Sequence, residues 1–318
     1  MSHIDVFNGD ADGLCALRQL RLAEPATSQL VTGPKRDIAL LGRVDAGPGD
    51  VVTVLDVSLE RNRAALVALL ERGARVRYFD HHFAGEVPAH PRLEAVLDAS
   101  RETCTSALVD RFLGGRFRAW AVVGAFGDNL DEIALRLGGS LALGAAELET
   151  LRELGRSLNY NAYGATETDL LIHPAAVYGL LAKYEDPMRF AAKEGIFGRL
   201  QSMRHADLDA AIDTPPRWSG ERAAAYVLAD SPSSRRVLGT FANHLAHLDP
   251  GRAYAVLAPR EAGGYIVSLR VPEPSGVSAD AFARRFPSGG GRRAAAGIDR
   301  LPAERIQEFI DRFNAAFA

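Results

Sequence analysis

Three short apolar runs within the first eighty or so residues end directly on acids: Val6-Phe7-Asn8-Gly9-Asp10-Ala11-Asp12, Val54-Leu55-Asp56 and Tyr78-Phe79-Asp80-His81-His82. Apolar, β-branched runs of this length read as buried strands. The segments between them carry apolar residues at helical spacing: Leu14, Leu17 and Leu20 in Gly13–Leu22, then Ala65, Leu66, Leu69 and Leu70 in Leu59–Arg72. Alternation of this kind predicts βαβ units and a parallel sheet, with strands at His3–Phe7, Asp37–Gly42, Val51–Leu55, Arg75–Phe79 and Ala95–Leu97. In open α/β sheets ligands bind beyond the carboxyl ends of strands, near the point where strand order reverses. Acids at three strand ends therefore predict one shared site.

From about Glu102 to Glu194 the pattern is almost entirely helical, with Pro174 and Pro187 as breaks. The stretch Asp207–Arg222, with Pro215, Pro216, Ser219 and Gly220, reads as a linker. Strands are expected after it at Ala223–Ala229, Ala253–Leu257 and Tyr265–Arg270, and helices at Val237–Leu248, Ser278–Phe286 and Pro302–Phe317. The expected fold class is α/β: a parallel-sheet N-terminal domain with a helical extension (1–206), a linker (207–221), and a smaller α/β C-terminal domain (222–318). No apolar run reaches the ~18 residues of a membrane span, and acids stand where a signal peptide would be basic and apolar. A cytoplasmic protein with no membrane partner is expected. Cys15 and Cys104 lie too far apart for a CxxC pair, which argues against a disulfide framework or a thiolate metal site.

Carboxylates brought together repel unless a cation or proton sits among them, and an imidazole beside them points to Mn²⁺, Zn²⁺ or Fe²⁺ more than to Ca²⁺. Gly127-Asp128-Asn129, closing the apolar segment Ala119–Phe126, is a fourth acidic candidate. Taken singly, each motif has an ordinary reading. Asp10-Ala11-Asp12-Gly13 can be a turn or helix cap, Asp56 a cap, and Asp80-His81-His82 a surface turn. A calcium-binding EF-hand loop is excluded, because the twelfth position counted from Asn8 is Gln19 where a bidentate Glu is needed. The combination, in order and at strand ends, is far more specific than its members.

Asn8-Gly9-Asp10-Ala11-Asp12-Gly13, Leu55-Asp56, Asp80-His81-His82 and Gly127-Asp128-Asn129 together resemble the motifs of the DHH phosphoesterase superfamily. That superfamily includes RecJ-type exonucleases, oligoribonuclease/phosphoadenosine phosphatases, cyclic-dinucleotide phosphodiesterases and family II inorganic pyrophosphatases. Ser268-Leu269-Arg270 and Gly289-Gly290-Gly291-Arg292-Arg293 are similar to the signature of the associated substrate-binding domain, so the resemblance covers nearly the whole chain. It implies two metal ions, Mn²⁺ or alternatively Mg²⁺ or another divalent cation, that activate water and neutralise charge on phosphate oxygens. Asp10, with Asn8, would bind the first ion, Asp12 the second, and Asp56 would bridge both. His81 and Asp128 would complete the second set, His82 would donate to substrate phosphate, and Asp80 would orient a histidine. Arg270, Gly289, Gly290, Gly291, Arg292 and Arg293 would hold phosphate, the glycines as a nest of backbone N–H groups. Two departures stand out: Asn8 replaces the His of many relatives, which weakens the first site, and Arg292 replaces the usual His.

The expected function is hydrolysis of phosphodiester or phosphomonoester bonds in a short nucleotide. An inorganic pyrophosphatase or polyphosphatase, and a nucleotide-binding protein with impaired catalysis, are the alternatives. Long nucleic acid is disfavoured as a partner because the net charge is −3, with no basic stripe to neutralise a phosphate backbone. The charge is uneven: residues 222–318 hold 13 Lys/Arg against 9 Asp/Glu, and residues 1–221 hold 24 against 31. Acidic metal-holding and basic phosphate-holding halves are the expected explanation, and homodimerisation is left open.

Overall fold

Strand parity decides how the first half of the chain is layered. The computed structural model describes residues 2–272 and 275–317, and the chain divides into two units, Met1–Ser202 and Met203–Ala318. In the first unit β1 (His3–Phe7), β2 (Ser28–Val31), β3 (Val51–Leu55), β4 (Arg75–Asp80) and β5 (Leu93–Leu97) form a parallel sheet in the order β2-β1-β3-β4-β5. Even-numbered residues Ile4, Val6, Val52, Val54, Val76 and Tyr78 pack in one core with α2 (Leu59–Glu71). Odd-numbered Phe7, Leu55 and Phe79 enter the other core, with α1 (Ala11–Ala23), α3 (Thr105–Phe112) and α4 (Arg118–Gly127). Because both faces are covered there, the strand ends Val6-Phe7, Val54-Leu55 and Tyr78-Phe79 are apolar at successive positions rather than alternating. Apart from Val51, the odd positions near the starts of β1, β3 and β4 are polar, and Asp5 there is held by Arg21 Nε (2.8 Å) and Ser28 Oγ (2.6 Å).

The helical layer continues with α5 (Asp131–Gly138), α6 (Ala145–Ala162), α7 (Pro174–Leu181) and α8 (Pro187–Lys193). Pro174 and Pro187, expected as breaks, are the first residues of α7 and α8, where the missing N–H costs nothing. Helix α1 is buried along Ala11–Leu20, and Trp120 of α4 donates its indole N–H to Glu185 O (2.7 Å). Close approach of α4 and α6 depends on Gly155, where a Cβ would press into the carbonyl O of Val123 and the backbone N of Gly127. Among the described residues no helix is long and apolar enough to cross a membrane.

The second unit is built on a mixed sheet, β10-β11-β9-β8-β7-β6. Its strands are β6 (Trp218–Ser219), β7 (Ala223–Val227), β8 (Ala253–Pro259), β9 (Tyr265–Arg270), β10 (Gly289–Gly291) and β11 (Ala295–Leu301). Strands β7 and β8 are parallel, joined through α10 (Pro232–Leu248), and the other pairs are antiparallel. Phe282 of α11 (Ala279–Ala283) packs with Phe286 and with Phe309, Phe313 and Phe317 of α12 (Ile306–Phe317) in its core.

Three expectations differ from the structure. Asp37–Gly42 is not a strand; the strand is Ser28–Val31. Leu40 and Leu41 of that apolar run are buried against α2, and Asn62 of α2 holds the loop by donating to Ile38 O (2.6 Å) and accepting from Leu41 N (3.2 Å). Residues 207–212 begin the expected linker yet finish helix α9 (Gly195–Ile212), since no helix breaker occurs before Thr214-Pro215-Pro216. The glycine-rich run is the extended strand β10, not a nest. Gly289 is required because a Cβ would strike Ala283 O, and Gly291, at φ 147°, lies against Ala296. Gly155→Ala should separate α4 from α6 and destabilise the first unit by roughly 1–3 kcal/mol. Urea unfolding of the variant checks this, and an unchanged midpoint would contradict the packing described.

Candidate metal centre

Strand order reverses between β1 and β3, and the acids collect beyond the carboxyl ends of β1, β3 and β4. After β1 the chain tightens within a few residues. Asn8 Oδ1 accepts from Asp10 N (3.2 Å), and Asp10 Oδ1 caps α1 by accepting from Asp12 N (3.0 Å) and Gly13 N (3.1 Å). Gly9 and Gly13 make this turn sterically feasible, since a Cβ would meet Gly33 O at the first and Asn8 O at the second. Asp12, inside α1, aims its carboxylate at the start of α3, accepting from Thr105 N (2.7 Å) and Ser106 N (2.8 Å).

Asp56 follows β3 with a left-handed φ of 59°, a conformation that Asp tolerates better than most residues. Its backbone N still donates to Phe79 O (3.0 Å), and its Oδ1 accepts from Thr105 Oγ1 (3.1 Å). At the end of β4, buried Asp80 accepts from Leu59 N (3.3 Å) and His82 N (3.2 Å), and its Oδ1 lies 2.7 Å from His82 Nδ1. His81 Nε2 is 3.4 Å from Asp56 Oδ1 and 3.5 Å from Asp128 Oδ2. Asp128 terminates α4, where a carboxylate faces the negative end of the helix dipole and needs positive charge nearby.

Ligand atoms of Asp12, His81 and Asp128 all lie within 4.8 Å of one another, as do those of Asp56, His81 and His82. At about 4 Å and an effective dielectric near 20, two like charges repel by roughly 4 kcal/mol, so this gathering is stable only with compensating charge. Burial, then repulsion from Asp128 and Asp10, pushes Asp12 above the ordinary carboxylate range. Burial, then Asp10 and Asp12, pushes Asp56 well above it. Burial opposes a charge on His81, but the hydrogen bond and charge of Asp56, aided by Asp12 and Asp128, raise it to about 10. His82 is likewise raised, against burial, chiefly by its bond to Asp80. Once these protons are displaced, the carboxylates and the imidazole form a donor set that suits a divalent cation.

Sequence reasoning missed several residues of the site. Lys35 Nζ sits 2.5 Å from Asp10 Oδ2 and 2.8 Å from Asp128 Oδ1; burial pushes Asp128 up, but Lys35, His81 and His82 together hold it below the ordinary carboxylate range. Thr105 and Ser106 fix Asp12. Asn159, in the last turn of α6, accepts from Ala11 N (3.0 Å), pinning the start of α1. Exposed Arg61 lines the same cavity of about 270 Å³ as Asp10, Asp56, His81, His82 and Asp128. Both cysteines are free and buried, and burial pushes their thiols up.

In the second unit, Arg270 donates to Asn243 Oδ1 (2.6 Å), Ser268 Oγ (3.1 Å) and Leu269 O (2.7 Å), while Arg292 and Arg293 are exposed beside β10.

No protein-family model and no curated protein matches the chain. Solved structures do. A manganese-bound exonuclease RecJ superposes with a TM-score of 0.65 at 18% identity, covering 98% of this chain and 89% of the other. RecJ from Thermus thermophilus with Mn²⁺ gives 0.65 at 19%, covering 98% of this chain and 51% of that larger protein. The pGpG-specific phosphodiesterase PggH from Vibrio cholerae gives 0.54 at 13%, covering 99% and 100%. The chain therefore shares the fold of these structures.

Without a bound cation His81 retains its proton up to a pH of about 10, and a cation on Nε2 must expel it. Affinity for Mn²⁺ should thus rise with pH through the neutral range, with proton release. Calorimetric titration in buffers of different ionisation enthalpy measures this, and binding without proton release would contradict the placement of His81.

Proposed function

We propose that this chain is a divalent-cation-dependent phosphoesterase of the DHH type that hydrolyses a short nucleotide. The observation that carries the reading is the gathering of two donor triads about His81 beyond the sheet, Asp12 with Asp128 and Asp56 with His82, the ligand atoms of each triad lying within 4.8 Å of one another. Asp12, Asp56, His81 and Asp128 would hold the cation. Mn²⁺ is the first choice because it is the ion bound in the similar RecJ structures, with Mg²⁺ or another divalent cation the alternative that the motifs imply. Two ions is the number the sequence motifs imply, with Asn8 and Asp10 on the first. When bound, such ions supply Lewis acidity for attack of water on phosphorus and neutralise charge on the phosphate oxygens.

The protein's own groups have separate tasks. Asp80 fixes the His82 ring through Nδ1, and the raised pKa of that ring keeps a proton available for a phosphate oxygen. Arg61, exposed at the cavity, offers a second, bidentate contact. In the second unit, taken by itself, the exposed Arg292 and Arg293 and the half-buried Arg270 would offer guanidinium groups to phosphate. A short substrate is favoured over long nucleic acid by the −3 net charge and by a cavity of about 270 Å³. The likeness to a pGpG-specific phosphodiesterase makes a linear dinucleotide the first substrate to test.

Purified protein with Mn²⁺ should cleave one of pGpG, linear diadenylate, cyclic dinucleotides or 3′-phosphoadenosine 5′-phosphate faster than single-stranded DNA or pyrophosphate. Asp56→Ala should lower that rate by roughly 10²–10³-fold, the scale of losing a group that stabilises transition-state charge. Intact substrates throughout, or an Asp56→Ala enzyme as active as the parent, would sink the proposal; preference for pyrophosphate would redirect it to the inorganic substrate.

A further inference from the structure

Of 37 basic residues only Lys35, Lys183 and Lys193 are lysine, and Lys35 alone of these lies among the site acids. Its position is built in. Its backbone N donates to Ala162 O (2.9 Å) at the end of α6, and the following turn is closed by Asp37 N to Pro34 O (2.8 Å). The side chain reaches from there to Asp10 Oδ2 (2.5 Å) and Asp128 Oδ1 (2.8 Å).

This contact completes the commitments of the first motif. Asp10 uses Oδ1 to cap α1 and Oδ2 to hold the ammonium, while Asn8 turns its Oδ1 to Asp10 N and its Nδ2 toward Lys35 O (3.5 Å). The donors expected for a first ion thus face backbone groups and Lys35. The donors of the second set, Asp12, His81 and Asp128, share one point, and Asp56 joins them through His81.

Neutral Asn8 leaves Asp10 as the charged donor that the ammonium meets at this position. A lysine ammonium is also a compact cation with rotatable donors, able to contact a carboxylate and a phosphate oxygen together.

We propose that Lys35 takes the place of one of the two ions. The centre binds a single divalent cation through Asp12, Asp56, His81 and Asp128, and the ammonium supplies the neighbouring positive charge to the substrate phosphate. This rests on the reading of the site as a metal-dependent phosphoesterase centre, and its test separates the two. Metal-free protein is titrated with MnCl₂, with stoichiometry from calorimetry and ion pairing from electron paramagnetic resonance. The wild type should take up one Mn²⁺ per chain and give the spectrum of an isolated ion. Lys35→Gln and Lys35→Ala, which free Asp10 Oδ2, should each take up two and give the spectrum of an exchange-coupled pair.

A wild type that binds two ions overturns the role of Lys35 and leaves the phosphoesterase reading intact. A wild type that binds none overturns both. Folded variants that still bind one ion overturn Lys35 as the cause. Should neither variant fold, the wild-type count still decides.

Discussion

Repulsion among buried carboxylates is the constraint around which the first unit is arranged. Asp10, Asp12, Asp56 and Asp80 are all buried, and two of them, Asp12 and Asp56, are held above the usual carboxylate range by burial and by their neighbours. Such a cluster is retained only where the surrounding groups supply positive charge or hydrogen-bond donors. Here every flanking element contributes: the first turn of α3 to Asp12, Thr105 to Asp56, the first residue of α2 to Asp80, and Lys35 and His81 to Asp128. A divalent cation would complete what these donors begin.

The layering explains why the cluster can exist at that place. Parallel strands align their carboxyl ends on one edge, and the reversal between β1 and β3 leaves a gap there that no crossover helix fills. Close helix packing behind the gap keeps it rigid. Gly124 of α4 approaches Ser106 and Asp12 too closely for a Cβ, and Gly127 approaches Ala11 and Asn159 in the same way. The glycines of the helical layer therefore act on the site through the backbone positions of α1, α3 and α4.

Much of this was legible in the sequence because the acids are local to the strands. Asp10, Asp56 and Asp80-His81-His82 each follow an apolar run within a few residues, so the parallel-sheet reading already carried them to one edge. Lys35 had no such signal. It comes from an irregular loop after an edge strand whose burial pattern is mixed, and the apolar run Ile38-Ala39-Leu40-Leu41 beside it looked like the strand itself. Asn159 was equally hidden, since its bond to Ala11 spans 148 positions along the chain and no periodicity announces it. The glycine-rich run was seen but given the wrong backbone, because run length alone does not distinguish a nest from a strand pressed against Ala283 and Ala296.

The central claim is that the strand-end acids and His81 form a divalent-cation centre. Crystals grown with Mn²⁺ and measured at the manganese absorption edge test it without reference to any substrate. An anomalous difference peak bounded by Asp12, Asp56, His81 and Asp128 is the predicted result. No peak at that position, or peaks only at surface carboxylates outside it, would contradict the account.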